Sequence, residues 1–245
     1  SRLSAAVGSF AFKFNASVGN EPRVGSTTSV AGVRGTEVRV YVASDGTTRY
    51  EVIEGLVELE DSGDRVTLGP EQAVEVSPGT GAGSVFAFLQ RPIDYSVWNA
   101  GLVDDFLADP LPALRGVASE MAELIEEIER LGPGVDAMLA QVREENERLP
   151  KIEEESGQEA RQEYFRNTVM PLRREARADF VDFRFVVLSA LSLDQYIISR
   201  LSAEMEARYF FDSDNDVYLR FQEELQSIRS EYERVVVPRL VPSDL

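Results

Sequence analysis

Asp212, Asp214 and Asp216, followed by Glu223, put oxygen donors at the first, third, fifth and twelfth places of a twelve-residue frame, the spacing at which a calcium loop collects its ligands. That loop turns sharply at its sixth place, normally on glycine. Here the sixth residue is Val217, and residues 217–223 already follow the apolar spacing of a helix. A helix running through them carries Glu223 away from the aspartates. The acids are therefore read as capping residues that favour the positive end of a helix, and no metal or other cofactor is expected.

Arg173, Arg174 and Arg177, with Arg184 one to two turns on, form a second cluster. It has the chemistry of an anion or carboxylate site, but no phosphate loop accompanies it, and in so acidic a chain ion pairs to neighbouring helices are the cheaper expectation. A glycosidase-type carboxylate pair needs one acid in an apolar cleft among sugar-stacking aromatics. Nothing marks such a pair. The one tryptophan, Trp98, sits in an apolar helical pattern with Val97 and Leu102, where packing at a domain junction is expected of it. With neither cysteine nor histidine in 245 residues, thiolate nucleophiles, imidazole bases and the usual zinc, copper and haem ligands are all absent. The chain is expected not to be an enzyme.

The elements that would carry these residues fall into two kinds. Up to about residue 92 apolar residues alternate: Phe10, Phe12 and Phe14; Val38, Val40 and Val42; Tyr50 and Val52; Val57 and Leu59; Val66 and Leu68; Val74 and Val76. This is the period of half-buried strands. Turns are expected at Asp45-Gly46, Glu54-Gly55, Ser62-Gly63-Asp64 and Gly69-Pro70, and a glycine-rich loop at 79–83 before a last strand at 84–89.

Beyond residue 92 the period becomes helical. Asp94 is expected to cap a helix through Leu107, and Asp109-Pro110 to open the next. Leu114, Val117, Met121, Leu124, Ile128 and Leu131 form a heptad seam. Gly132-Pro133-Gly134 is expected to stop that helix, with Val135, Met138, Val142 and Leu149 forming the return arm of a hairpin ending at Pro150. Residues 151–163 are polar enough for a solvated loop or an exposed first turn. A long helix at 159–209, broken or kinked near Pro171, contains a core stretch at 180–193 that is too short and too charged to span a bilayer. A final seam, Tyr218, Phe221, Leu225, Ile228, Tyr232 and Val235, ends at Pro238 and Pro242.

Within the β part, Val33-Arg34-Gly35-Thr36-Glu37, Asp45-Gly46-Thr47-Thr48, Val52-Ile53-Glu54-Gly55 with Val57, and Leu68-Gly69-Pro70 with Gln72 and Val74 resemble, in order and spacing, the FecR domain family. The resemblance covers about residues 27–78. It implies an exported all-β domain without catalysis, which in the name-giving members relays a signal from an outer-membrane transporter to a sigma factor. In this chain about 150 helical residues stand where a transporter-facing domain would be, so a different role is expected. Arg34 and Glu37 are candidate partner contacts, against a structural role in which Gly35 makes a tight turn and Arg34 is held by a carboxylate such as Glu54.

The expected architecture is α+β as separate domains: a FecR-like β sandwich or solenoid-like roll at 1–92 and an acidic helical bundle with coiled-coil-like helices at 93–245. The net charge of −18 is uneven, with 8 Lys and Arg against 11 Asp and Glu up to residue 92 and 17 against 32 after it. Such a surface repels phosphate backbones and anionic headgroups, so nucleic acid and peripheral membrane binding are not expected. The expected function is a non-enzymatic scaffold or signalling adapter of the periplasm or cell envelope, its leader removed before Ser1. Its helical seams would meet a protein partner or a second copy. The alternatives are a peptidoglycan or glycan binder and, behind it, a carboxylate-based hydrolase.

Overall fold

The computed structural model describes residues 2–4, 7–14, 23–26, 29–61 and 64–240. Its N-terminal part is a curled, mainly antiparallel sheet of nine strands among the described residues: β1 (Arg2–Ser4), β2 (Gly8–Lys13), β3 (Arg23–Gly25), β4 (Val30–Val42), β5 (Thr48–Asp61), β6 (Asp64–Leu68), β7 (Gln72–Ser77), β8 (Gly81–Ala82) and β9 (Phe86–Ala87). The hairpin of β4 and β5 is its frame. Val38 faces Val52, Val40 faces Tyr50, and all four are fully buried. The alternation read from sequence thus sets which face goes inside.

Glu54-Gly55 is not a turn. β5 runs straight through it, and the register with β4 slips around Glu37. Gly35 and Gly55 both take positive φ, 54° and 87°, and they touch: a Cβ on Gly55 would stand 2.4 Å from the Gly35 carbonyl oxygen. Both long strands bend at this corner. The half of β5 before it pairs with β7 and the half after it with β6, so one sheet folds into two leaves over one core, which Val33, Val57 and Leu59 share with Val40, Tyr50 and Val74. Strands changing leaf at a bulge are how such a corner is made. The sandwich-or-roll expectation resolves into a single folded sheet.

The Asp45-Gly46 turn is present, with Gly46 at φ 92°, as is Gly69-Pro70, closed by a bond from the Gln72 amide to the Gly69 carbonyl. The expected turn at Ser62-Gly63 lies outside the described residues. The glycine segment 79–83 contains a pairing strand, β8, and the predicted strand at 84–89 shrinks to β9 and a 3-10 turn, Phe88–Gln90.

The helices are α1 (Tyr95–Ala108), α2 (Pro110–Tyr164), α3 (Met170–Ser192), α4 (Ser199–Arg208), α5 (Asp216–Val235) and α6 (Val237–Leu240), with π-helical turns at Phe165–Val169 and Leu193–Ile198. Asp94 caps α1 as expected, accepting from the amides of Ser96 and Val97. Asp109 precedes Pro110 at the start of α2 without a side-chain cap bond.

The hairpin predicted around Gly132-Pro133-Gly134 does not form: α2 passes through Pro133 and Pro150. The apolar phase explains why. Met121, Ile125, Ile128, Gly132, Val135, Leu139 and Val142 are all buried and keep the 3-4 heptad alternation across the Gly-Pro-Gly, so breaking there would split one continuous stripe. Ile125 is buried in place of Leu124, and Gly132 stays small because the Arg239 guanidinium lies 3.1 Å from where its Cβ would be. Only Gly157 leaves helical geometry, at φ 85° and ψ 174°. It is the tip of the hairpin, inside the segment expected to be a loop. Contacts across the arms confirm this: Glu153 with Arg161, Glu145 with Tyr164, and Asn146 with Arg173. Near Pro171 the chain does not break either, because the π turns at Phe165–Val169 absorb the missing amide donor.

α3 and α4 return along α2, and Phe183, Val187, Ala190 and Leu193 enter the core. α5 then runs parallel to the first half of α2, with Arg115 on Glu224, Glu129 on Arg234 and Asp136 on Arg239. Phe221, Leu225, Ile228, Tyr232 and Val235 are buried as the seam predicted.

Candidate functional site

The FecR-like residues collect at two places. At the bend, Val33 and Thr36 are buried and Gly35 meets Gly55, while the Thr36 hydroxyl donates to the Leu56 carbonyl at 2.9 Å. Glu37 stands at the rim, paired with Lys13 at 2.8 Å, which holds its carboxyl below the ordinary range. Glu54 is exposed, and the Arg34 side chain lies outside the described residues, as does the predicted pairing of the two. At the β4–β5 turn, the two Asp45 oxygens accept from the amide and the hydroxyl of Thr47 at 2.9 and 2.8 Å. Burial pushes the Asp45 carboxyl above its usual value, outweighing those bonds. The Gly69 amide donates to the Gln72 side chain at 2.7 Å. In these contacts the motif residues bend and close strands.

A buried ion pair was not foreseen. Arg49 and Glu51 stand on the same face of β5, opposite to Tyr50, and meet at 2.6 Å with side chains 4% and 3% exposed. Arg49 also donates to the Arg91 carbonyl at 2.7 Å and lies over the Phe86 ring. The pair therefore ties the sheet to the segment leading into the helices. The signal was an Arg-x-Glu spacing inside a strand flanked by Tyr50 and Val52. On the other face Tyr50, fully buried, shares a 2.7 Å hydroxyl bond with Ser29, and burial pushes its phenol to about 12.

The two parts touch directly. The Tyr95 hydroxyl donates to the Val42 carbonyl at 2.9 Å, Asn99 accepts from the Ser44 amide at 2.7 Å, and Gly79 abuts Gly116. Trp98, half-buried, packs beside Tyr95 at this junction.

The capping role expected of the aspartates falls to the asparagine among them, Asn215, whose side chain accepts from the Val217 amide, while Asp216 lies in the first turn of α5. Asp212 accepts from the Asn215 side chain. Among the described residues no group of three or more acidic side chains is placed to hold a metal.

The arginine cluster departs from expectation. Among the described residues none of Arg173, Arg174 and Arg177 has a carboxylate partner, and Arg184 donates to the Arg239 carbonyl. Elsewhere in the bundle Arg115, Arg130, Arg148, Arg200, Arg234 and Arg239 are all ion-paired. The unpaired arginines border a groove of about 690 Å³ between the hairpin arms, floored by Val142, Ala176 and Phe180. A second groove of about 500 Å³, lined by Arg161, Arg166 and Phe165, shares Arg173 with it. The sequence conceals this, because a tip at Gly132-Pro133-Gly134 brings different residues together than the tip at Gly157 does.

The chain matches no family profile and no curated protein. Among solved structures it is similar to one described as a "putative anti-sigma factor" from Parabacteroides distasonis ATCC 8503, at 20% identity over 33% of this chain and a TM-score of 0.29. The likeness spans 37% of that protein's own length. Among the described residues no helix is long and apolar enough to cross a membrane.

Proposed function

We propose that this chain is a non-enzymatic adapter of the cell envelope, in which a FecR-like β part anchors a helical hairpin that engages another protein. The carrying observation is the hairpin itself. From Pro110 to Gly157 its first arm extends roughly 70 Å at 1.5 Å per residue, while α5 and α6 accompany it only as far as the Asp136–Arg239 pair. The distal arms therefore present seam edges that no third helix covers among the described residues. Exposed Met170 and Val181, 42% and 54% accessible, are part of that surface. A projecting two-helix arm suits helix-to-helix recognition; a reaction needs a water-excluding cleft.

Exported localisation is part of the proposal and rests on the FecR-like residues. A glycan-binding role for the β part is tested alongside by co-sedimentation with purified sacculi. The adapter test uses the full chain in native envelope, carrying a photo-crosslinker either at Gln162 near the tip or at Thr67 on β6. Saturable crosslinking of one discrete protein from the Gln162 position, competed by unlabelled chain, is expected. Crosslinking confined to Thr67 would move the function to the β part.

A further inference from the structure

Resting on the adapter reading, we infer that the groove between the distal hairpin arms takes an acidic amphipathic helix from a partner protein, which completes the three-helix cross-section that α5 and α6 leave unfinished among the described residues. Position is the first support. Arg184, which meets the α6 backbone through the Arg239 carbonyl, is preceded by Arg177 and Met170 at seven and fourteen residues. Two and four helical turns keep all three on nearly the same stripe of α3. The groove that Met170 and Arg177 border thus continues, past Arg184 and the last described turn of α6, a surface already built to receive a helix.

Charge is the second support. In a chain of net charge −18 with 43 acidic residues, neither groove is lined by a single carboxylate. Arg166, Arg173, Arg174 and Arg177 have no acidic partner among the described residues, and Arg173 instead bonds Asn146 at 2.8 Å and lies over Phe165. Guanidinium forks flanking an apolar floor match a helix with a Leu-type seam and Glu or Asp on its flanks. A second copy meeting this face across a two-fold axis would set arginines against arginines, which disfavours a symmetric dimer through this groove.

The probe is a three-heptad peptide with Leu at a and d and Glu at e and g, measured against the intact protein by fluorescence anisotropy beside a matched peptide with Lys replacing Glu. The Glu peptide is expected to bind with micromolar affinity that weakens with salt, and the Lys peptide at least about tenfold more weakly. In Arg174→Glu/Arg177→Glu, which alters only exposed side chains and should keep the parent melting curve, the preference should invert. A photoreactive seam residue in the Glu peptide should label the 170–181 segment. Equal binding of both peptides, unchanged preference in the double variant, or labelling elsewhere overturns the inference. So does a dimer in sedimentation that the double variant abolishes, since the occupant would then be a second copy. If the Gln162 crosslink to a native partner survives the double variant, the adapter reading stands and the groove is not its site. If that crosslink is absent from the parent, the adapter reading itself falls.

Discussion

At the scale of single residues, burial converts modest chemistry into large energetic effects. Arg49→Met would leave the Glu51 carboxylate buried and unpaired, and is expected to destabilise by about 3 to 5 kcal/mol in denaturant unfolding, whereas Arg49→Met with Glu51→Leu should recover most of the loss. Recovery by the double variant is the diagnostic, since a pair held only for packing shape would show none. Asp45 carries a pH signature. Because burial raises its folded value above that of the unfolded chain, the native state holds the proton more tightly, and the wild type should lose stability relative to Asp45→Asn as pH climbs from about 4. Parallel unfolding curves of the two proteins across that range would contradict the assignment. Asp45 is marked in the sequence as a turn residue but not as a buried acid, and the Arg49–Glu51 spacing looks like an ordinary solvent face until β9 and the Arg91 carbonyl cover it.

At the scale of elements, two backbone features decide the shape. Gly55→Ala would force a Cβ to 2.4 Å from the Gly35 carbonyl at positive φ, so a loss of at least about 2 kcal/mol is expected, with the unfolding midpoint falling accordingly. Were Gly55 a hairpin turn facing solvent, the cost would be smaller. Pro133 is the opposite case. It lies inside a continuous helix at an exposed position, so Pro133→Ala restores an amide donor and should raise stability by on the order of 1 to 3 kcal/mol; a helix that really ended there would be indifferent. Both positions read as chain reversals in the sequence because Gly and Pro punctuate turns on average. The long-range pattern overrode the local one. Across Gly55 the buried positions change parity, from Tyr50 and Val52 to Val57 and Leu59, the one-residue shift that a bulge makes inside a single bent strand, and the 3-4 spacing of Ile128, Gly132 and Val135 stays in phase for one helix.

At the scale of the whole molecule, the coupling of the β part to the helices runs through a small patch. Gly116 admits the Pro78 carbonyl, which would stand 2.3 Å from any Cβ there. Gly116→Leu is therefore expected to push the two parts apart and to split a single thermal transition into two, read by calorimetry with circular dichroism following the helices. A single unshifted transition would show that Tyr95, Asn99 and Arg49 hold the junction without it. What the residues determined by themselves was the type of each part: the period-2 runs dictated strands, the heptad seams dictated helices, Asp94 sat where a helix begins, and the missing cysteine and histidine narrowed the chemistry. Those are local properties, set by which side chains share a face. What only the tertiary structure decided was where the chain turns and what covers what, because that depends on partners distant in sequence: the carbonyl of Gly35 at Gly55, the guanidinium of Arg239 at Gly132, and the surroundings of Arg173, Arg174 and Arg177, which meet no carboxylate among the described residues.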